Sequence, residues 1–237
     1  MPLLILLRHG QSRWNLENRF TGWVDVDLTE EGEAQARKAG TLIAGSELHV
    51  DEAYTSVLTR AVRTCNLALD SAGLSWVPVA KDWRLNERHY GGLTGLDKAE
   101  TAARHGDEQV KVWRRSYDIP PPPLEAGSEY DFALDRRYLE AQVPATESLK
   151  TTLERVLPYW TGTIAPRLQA GRNVLVAAHG NSLRAIVKHL FQVADADIVG
   201  VEIPTGNPLA IVLDDQLRPL SARYLDEDRA QPLPPVR

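Results

Sequence analysis

Apolar residues occur along this chain in two patterns, as unbroken runs and as repeats at every third or fourth position. Residues 3–7 are five consecutive aliphatic residues, and residues 174–178 form a second unbroken run. Runs of this kind are typical of strands buried on both faces, so they predict the inner strands of a parallel sheet. Shorter runs predict further strands at residues 53–55, 76–80, 209–213 and 219–224.

Segments with a helical repeat separate these runs. Thr29 is placed to cap a helix over about residues 30–44, and residues 58–69 carry apolar side chains at i, i+3, i+4, i+7 and i+11. Further helices are predicted over residues 149–160, with a kink at Pro158, and directly after the second long run. This alternation predicts an α/β fold in which helices cover both faces of a mainly parallel central sheet, giving three layers.

The region from about residue 84 to 145 breaks the alternation. It contains Gly91-Gly92, a short helical stretch near residues 96–104 and the proline run Pro120–Pro123. Consecutive prolines fix an extended segment, which we interpret as a rigid loop that edges a pocket rather than as a polyproline ligand. The sequence therefore predicts an irregular insertion that borders the active site.

Composition and charge limit what the chain is expected to bind and where it works. The 237 residues are 43% apolar and carry a formal net charge of −5, so neither nucleic acid nor a membrane is an expected partner. Neither a signal peptide nor a membrane-spanning run is recognisable, and the single cysteine, Cys65, is expected in the core, which favours the cytoplasm. Residues 1–225 predict one domain, and residues 226–237 predict a mobile, proline-rich tail.

Both long apolar runs end in the same dipeptide, as His9-Gly10 and as His179-Gly180. Because parallel strands end at one edge of a sheet, the two imidazoles should face each other where ligands of open α/β sheets bind. Arginine forks and helix N-termini suit phosphate and carboxylate oxygens, so the cations nearby in this acidic protein predict a pocket for a polyanion. The charged residues in question are Arg8, Arg60, Glu87, Lys98, Arg114 and Arg115.

Nine short blocks spread over residues 3–225 carry a resemblance to a known family. The blocks are Arg8–Asn15, Asn18–Trp23, Thr55–Ala61, Leu85–Gly91, Leu93–Lys98, Trp113–Tyr117, Glu147–Lys150, Ala178–Arg184 and Ile203–Gly206. Their order and spacing resemble those of the 2,3-bisphosphoglycerate-dependent phosphoglycerate mutases, members of the histidine phosphatase superfamily. There are three departures. Gln11 replaces a usual glutamate, Asn207 replaces a more common apolar residue, and the acidic tail lacks the lysine that a C-terminal lid often carries.

The resemblance implies a reaction and a role for each site residue. It implies that 3-phosphoglycerate and 2-phosphoglycerate are interconverted in glycolysis and gluconeogenesis, with 2,3-bisphosphoglycerate as primer and without a metal. His9 would carry the phosphoryl group, and Glu87 would act as general acid–base. His179, Arg8 and Arg60 would stabilise the transferred charge. The implied substrate-binding residues are Ser12, Asn15, Thr21, Gly22, Arg88, Tyr90, Lys98, Arg114, Arg115, Gly180 and Asn181.

Elementary electrostatics agrees with a nucleophilic His9. Attack on phosphorus requires a neutral ring nitrogen, and the guanidinium groups of Arg8 and Arg60 should disfavour protonation of the ring. The other ring nitrogen should donate to a backbone carbonyl, which fixes the tautomer.

Two other function classes fit part of the pattern. A phosphomonoester hydrolase of the same superfamily would share His9, Arg60 and His179. A non-catalytic binder of phosphorylated ligands would be expected to lack the nucleophile or the acid, and both are present. The segment 90–123, which includes Lys98 and the pair Arg114-Arg115, would supply the second anion site that a mutase needs, so it favours the mutase.

Metal and nucleotide chemistry are less consistent with the sequence. His49, His89, His105 and His189 show no spacing typical of metal ligands, so they are expected on the solvated surface. A Gly-rich loop followed by Lys-Ser/Thr is also missing, which argues against nucleotide hydrolysis. The implied partners are small-molecule phosphoglycerates and further copies of this chain, as a homodimer or homotetramer that uses an apolar edge of the early strands.

Overall fold

Six strands form one sheet, in agreement with the predicted number. The computed structural model describes residues 1–139 and 141–236 of the chain. The strands are β1 (Leu3–Arg8), β2 (Glu52–Thr55), β3 (Val79–Lys81), β4 (Val174–Ala178), β5 (Leu209–Leu213) and β6 (Pro219–Tyr224). Their order is β3-β2-β4-β1-β5-β6. The first four strands are parallel and the last two add antiparallel pairs beside β1, so the mainly parallel sheet is confirmed.

The helices are α1 (Arg13–Leu16), α2 (Glu30–Gly45), α3 (Thr59–Ser71), α4 (Lys98–His105), α5 (Asp107–Arg115), α6 (Leu149–Tyr159), α7 (Ala165–Gln169) and α8 (Gly180–Phe191). Helices α2 and α3 cover one face of this sheet, and α6, α7 and α8 cover the other. As predicted, Thr29 caps α2, because its hydroxyl accepts a hydrogen bond from Gly32 N at 3.1 Å.

The alternation of side chains along β1 separates two apolar cores. Leu4 and Leu6 pack with α6, α7 and α8 on one face, while Ile5 and Leu7 pack with α2 and α3 on the other. Cys65 lies in the second core with none of its surface exposed, and burial raises the pKa of its thiol to about 12. The three-layer arrangement and the core position of Cys65 are therefore confirmed.

Two elements differ from their predicted form. The third strand begins at Val79 rather than at Trp76, because Val77 N donates to Leu74 O in a turn and is not available to the sheet. Trp76 is 71% exposed. Beyond Pro158, α6 ends and a π turn over Trp160–Ile164 leads into α7, which is the form that the predicted kink takes.

The region 84–145 is largely irregular, as predicted, and contributes several residues to the cleft described below. The predicted helical stretch near residues 96–104 is α4, whereas α5 was not predicted. The proline run does not line that cleft. It packs against Gly91, which has φ +56° and would place a Cβ atom 2.1 Å from Pro122 O. Gly92 N also donates to Pro122 O at 2.8 Å. The run therefore supports the insertion from behind instead of edging the cleft.

The first residues after β6 are tied to the body of the fold. Asp226 forms an ion pair with Lys38 at 2.6 Å, and Arg229 donates to Thr205 O at 2.6 Å. Leu233 packs against the core beside α8. The expected mobility of residues 226–237 stays a prediction, as does the single domain over residues 1–225.

Candidate active site

The carboxyl ends of β1 and β4 bring His9 and His179 together. The two strands pair in parallel with Arg8 opposite Ala178, and His9 N donates to Ala178 O at 2.9 Å. The centroids of the two imidazole rings lie 5.0 Å apart, at an angle of 61° between the ring planes. The prediction that the two His-Gly dipeptides meet at one edge of the sheet is confirmed.

The ring of His9 is oriented by the residue that follows it. Its Nδ1 lies 2.7 Å from Gly10 O, and because a carbonyl only accepts hydrogen bonds, Nδ1 carries the proton in the neutral ring. Burial, and then the charges of Arg60 and Arg8, hold the pKa of His9 well below its usual value. The tautomer predicted from the sequence is therefore confirmed, and Nε2 retains its lone pair at neutral pH.

Close packing fixes the loop that carries His9. A Cβ atom on Gly10 would lie 2.1 Å from Gly32 O at the start of α2, so no larger residue fits between loop and helix. Gly10 N donates to the hydroxyl of Thr64 at 3.1 Å. The position of the imidazole is thus set by backbone contacts on both sides.

His179 is the residue that precedes α8 and lies fully buried. Its Nε2 is 2.8 Å from Ser56 Oγ, whereas its Nδ1 has no hydrogen-bond partner within the part of the chain that the structure describes. Burial, followed by the charges of Arg60 and His9, keeps the pKa of His179 well below its usual value. An unpartnered buried nitrogen beside His9 is a site at which an anionic ligand could accept or share a proton.

Two arginines place positive charge beside the histidines. Arg60, in the first turn of α3, donates to Val24 O at 2.8 Å and to Gly22 O at 2.7 Å. Burial lowers the pKa of Arg60 to about 10, so the guanidinium stays charged at neutral pH. Arg8 donates to Ile203 O at 2.8 Å. Both side chains are held by backbone carbonyls and are therefore pre-oriented.

Glu87 presents one of its two carboxylate oxygens to the cleft. Oε1 accepts hydrogen bonds from Arg88 N at 2.8 Å and from Asn181 N at 3.1 Å. Oε2 faces Gly180, where a Cβ atom would lie 3.6 Å from it. The carboxylate is thus fixed through Oε1, and Oε2 is directed toward Gly180 in the wall of the cleft.

The backbone that carries Glu87 is held by a buried ion pair between Arg155 and Glu147. Arg155 Nε lies 2.6 Å from Glu147 Oε1, and these side chains are 6% and 3% exposed. The same guanidinium donates to Arg84 O at 2.7 Å and to Glu87 O at 3.1 Å. Trp23 Nε1 also donates to Glu87 O, at 2.6 Å. A single arginine from α6 therefore organises the segment that presents the carboxylate.

Replacement of Arg155 with methionine is expected to lower the free energy of unfolding by about 3–5 kcal/mol, because it leaves the buried Glu147 carboxylate uncompensated. The measurement is urea unfolding at neutral pH. Arg218→Met is the matched control, since it breaks the exposed pair with Asp214 and should cost less than about 1 kcal/mol. Equal losses in the two variants would contradict the role assigned to Arg155.

A cationic cleft with a cavity volume of about 120 Å³ opens in front of these groups. Seven of its lining residues are arginine or lysine, and two, Glu87 and Glu202, are acidic. The lining residues are Arg8, His9, Asn15, Arg19, Phe20, Thr21, Gly22, Arg60, Glu87, Tyr90, Lys98, Arg114, Arg115, Gly180, Asn181, Arg184, Glu202 and Ile203. This composition suits a small ligand that carries several negative charges.

Most of the predicted site residues meet at this cleft, and three do not line it. His179 is fully buried, with its ring 5.0 Å from that of His9. Ser12 is fully buried and caps α1, since its Oγ accepts a hydrogen bond from Asn15 N at 3.2 Å. Arg88 is also fully buried, donates to Arg114 O at 2.8 Å and lies over the ring of Tyr90. Both support residues that line the cleft.

Known proteins of one family are similar to this chain over almost its full length. The model of the histidine phosphatase superfamily (branch 1) matches residues 4–216. A 2,3-bisphosphoglycerate-dependent phosphoglycerate mutase from Caulobacter sp. (strain K31) is 74% identical over 236 residues, which is 100% of both chains. The mutase of the same name from Hyphomonas neptunium is 64% identical over 234 residues, 99% of both chains. The chain belongs to this mutase family.

Solved structures of lower identity support the fold of this family member. A mycobacterial glucosyl-3-phosphoglycerate phosphatase, solved with VO3, aligns with a TM-score of 0.72 at 23% identity and covers 94% of this chain and 97% of its own. A Bacillus stearothermophilus protein, YhfR, aligns with a TM-score of 0.70 at 21% identity, over 92% of this chain and 94% of its own. At these identities the similarity concerns the fold alone.

Sequence reasoning about this mutase missed five cleft residues. Arg184 lies four positions after Gly180 on α8, so helical spacing could have placed it on the same face. Its guanidinium donates to Asn181 Oδ1 at 2.9 Å, and burial lowers its pKa to about 10. Arg19, Phe20 and Ile203 lie inside blocks that carry the family resemblance, which could have indicated them, whereas Glu202 lies outside every block. The five are Arg19, Phe20, Arg184, Glu202 and Ile203.

His89 corrects one prediction about the remaining histidines. It is 1% exposed instead of solvated, with its ring against Trp23 and Phe132. Its Nδ1 accepts a hydrogen bond from Gly91 N at 3.0 Å, and burial lowers its pKa to about 4. The aromatic neighbours explain the error, because they arrive from distant parts of the sequence. His49, His105 and His189 are exposed, as predicted.

His89 should make the mutase less stable in acid. Its pKa falls from 6.5 to about 4 on folding, so the unfolded chain binds more protons between these values and stability is lost as pH falls from 6.5 to 4. The loss is expected to reach about 3 kcal/mol. Urea unfolding across this pH range should show a shallower dependence for His89→Gln than for the parent, whereas the exposed His105→Gln should match the parent. Parallel curves for all three proteins would contradict the assignment.

Over residues 1–139 and 141–236, none of the helices is long and apolar enough to cross a membrane. Across those same residues, no group of three or more His, Cys, Asp or Glu side chains is arranged to hold a metal ion.

Proposed function

We propose that this mutase interconverts 3-phosphoglycerate and 2-phosphoglycerate by passing a phosphoryl group through His9. The observation that supports it best is the geometry of His9 in a cationic cleft. Its Nδ1–H is tied to Gly10 O at 2.7 Å, and the depressed pKa keeps Nε2 unprotonated. A neutral, oriented imidazole beside several cations is suited to attack the phosphorus of an anionic ester.

In the first step, Nε2 of His9 forms a bond to phosphorus as the bond from phosphorus to the ester oxygen breaks. The Nδ1 proton stays on the ring, and its hydrogen bond to Gly10 O stabilises the positive charge that develops there. Arg8, Arg60 and His179 are proposed to hold the phosphoryl oxygens during transfer. In the second step, a substrate hydroxyl attacks the phosphohistidine and restores the free ring.

Glu87 is proposed to move the proton in both steps. Since Oε1 already accepts two backbone hydrogen bonds, Oε2 is the oxygen assigned to this task. It gives a proton to the departing ester oxygen and later takes one from the attacking hydroxyl. The same carboxylate therefore acts as acid and as base in alternate half-reactions.

The far side of the cleft is proposed to hold the substrate carboxylate and the phosphate that does not react. Lys98, Arg114 and Arg115 line that part of the wall, and the guanidinium fork suits both groups. Such a second anion site favours a mutase over a phosphatase, because it retains the doubly phosphorylated intermediate. Polar positioning is assigned to Ser12, Asn15, Thr21, Gly22, Arg88, Tyr90, Gly180 and Asn181.

The primer 2,3-bisphosphoglycerate fits the charge and the unpaired atoms of this site. Buried nitrogens of Arg8, Arg60 and His179 have no hydrogen-bond partner within the described parts of the chain, and a polyanion would supply acceptors. When bound, the primer supplies the phosphoryl group that charges His9. Arginine and lysine side chains are proposed to neutralise the transferred charge, so the reaction is expected to proceed without a metal.

A phosphorus NMR time course tests this function. The protein is mixed with 3-phosphoglycerate, a trace of 2,3-bisphosphoglycerate and a chelator. We expect 2-phosphoglycerate to appear quickly, to depend on the primer and to exceed free phosphate throughout. Accumulation of inorganic phosphate without isomerisation would instead indicate a phosphatase.

We also propose that copies of this chain associate, as a homodimer or homotetramer, through the edge of the sheet at β3. Within the described residues this strand pairs with β2 and with no other strand, and Trp76 beside it is 71% exposed. A paired edge would cover both features. Sedimentation velocity is expected to give a species larger than 26.4 kDa, and Trp76→Lys should shift it toward the monomer.

The proposed compartment is the cytoplasm.

A further inference from the structure

A carboxylate at the wall of the cleft has no part in the mechanism above. Glu202 lines the cleft together with Glu87, and its charge opposes the binding of an anion. Its Oε2 lies 3.4 Å from a terminal nitrogen of Arg115, and the two side chains are 51% and 31% exposed. In the free protein, therefore, a carboxylate of the chain itself contacts a guanidinium that faces the ligand.

The position of Glu202 is set by its backbone. Glu202 O accepts a hydrogen bond from the hydroxyl of Tyr224 at 3.2 Å, and the next carbonyl, Ile203 O, accepts one from Arg8 at 2.8 Å. The backbone of Glu202 is therefore fixed, while its side chain is half exposed to solvent. This side chain can release Arg115 by rotating outward, but its charge cannot leave the rim of the cleft.

We propose that Glu202 is a specificity-determining residue that competes with the substrate for Arg115. This inference rests on the proposed function, since it concerns the anion site of the same reaction. A ligand anion must displace the Glu202 carboxylate from Arg115 or bind beside it, and either event weakens binding. The penalty grows with the charge of the ligand, so it opposes 2,3-bisphosphoglycerate more than a monophosphate. Glu202 thus limits the retention of the most highly charged species.

The first test is the kinetics of Glu202→Gln. The Michaelis constant for 3-phosphoglycerate is expected to fall by about twofold to fivefold, which is the range of an exposed ion pair, while kcat stays within about twofold. The concentration of 2,3-bisphosphoglycerate that half-activates the enzyme should fall by a larger factor. Unchanged constants, or a loss of kcat of about a hundredfold that would make Glu202 a catalytic group, overturn the proposal.

A matched control tests whether the change in net charge alone alters the two constants. Asp215 is exposed in the turn between β5 and β6, at the opposite end of the sheet from His9, and Asp215→Asn changes the net charge equally. It is expected to leave both constants unchanged. In an Arg115→Met background, the effect of Glu202→Gln should shrink, because the competition for Arg115 is gone and only the repulsion between the Glu202 carboxylate and the ligand remains. An equal effect from Asp215→Asn, or an undiminished effect without Arg115, contradicts the proposal.

Calorimetric titration separates this inference from the reaction itself. In a His9→Ala background, which can bind but not react, Glu202→Gln should tighten 2,3-bisphosphoglycerate binding by more than it tightens 3-phosphoglycerate binding. Equal affinities with and without Glu202 would overturn the inference whatever reaction the parent protein performs. Failure of the parent to isomerise 3-phosphoglycerate, by contrast, would overturn the proposed function alone.

Discussion

Replacing His9 with alanine is expected to lower the rate of isomerisation by about four orders of magnitude or more, because the covalent route is lost. The imidazole of His179 cannot replace that of His9 as the nucleophile. Nε2 of His179 is held by Ser56 at 2.8 Å, and the ring is fully buried. The rate is measured by phosphorus NMR, and the phosphoenzyme is measured as acid-labile, alkali-stable label after brief exposure to radiolabelled primer.

The control for this variant is a histidine far from the chemistry. His49 is exposed and lies outside the cleft, so His49→Ala should keep both activity and labelling. Binding of 2,3-bisphosphoglycerate to His9→Ala should persist, since the arginines of the cleft are intact. A His9→Ala protein that still isomerises, or that still takes up label, would rule out the phosphohistidine route.

Those site residues that the order of the strands positions could be predicted from the sequence. Two unbroken apolar runs predict buried strands, and parallel strands end at a common edge, so the sequence brings His9 and His179 to the same edge of the sheet. The structure adds that β1 and β4 are neighbours, which is why the two rings meet. The tautomer of His9 was also predictable, because its ring nitrogen bonds to the carbonyl of the very next residue.

Long-range packing carries the information that sequence reasoning lacked. His89 looks like a loop histidine, but Trp23 and Phe132 cover its ring from segments that are distant along the chain. In the sequence, Glu202 cannot be distinguished from an ordinary surface glutamate. The fold shows that it lies beside Arg115. The role of Arg155 was also not predictable from the sequence, because its contacts with Glu147 and with Glu87 O depend on how α6 packs over the insertion. Local patterns do not encode such contacts.

Glu87→Gln is expected to lower kcat by two to four orders of magnitude, the usual contribution of a positioned acid–base group, with a much smaller change in the Michaelis constant. The amide oxygen of glutamine can take the place of Oε1, which accepts from Arg88 N and Asn181 N. The amide nitrogen then occupies the place of Oε2 but cannot exchange a proton there. The fold and the cleft should be preserved while proton transfer is lost.

Leaving-group dependence distinguishes proton transfer from a structural role. p-Nitrophenyl phosphate releases an oxygen that needs no protonation, so Glu87→Gln should transfer its phosphoryl group to His9 nearly as fast as the parent does. Transfer from 2,3-bisphosphoglycerate, whose leaving alkoxide needs a proton, should be slow. Because both substrates transfer their phosphoryl group to the same His9, the ratio of the two transfer rates measures the contribution of leaving-group protonation. Equal slowing of both transfers would mean that Glu87 orients the site, through its contacts with Asn181 and Arg88, and that the proton has another source.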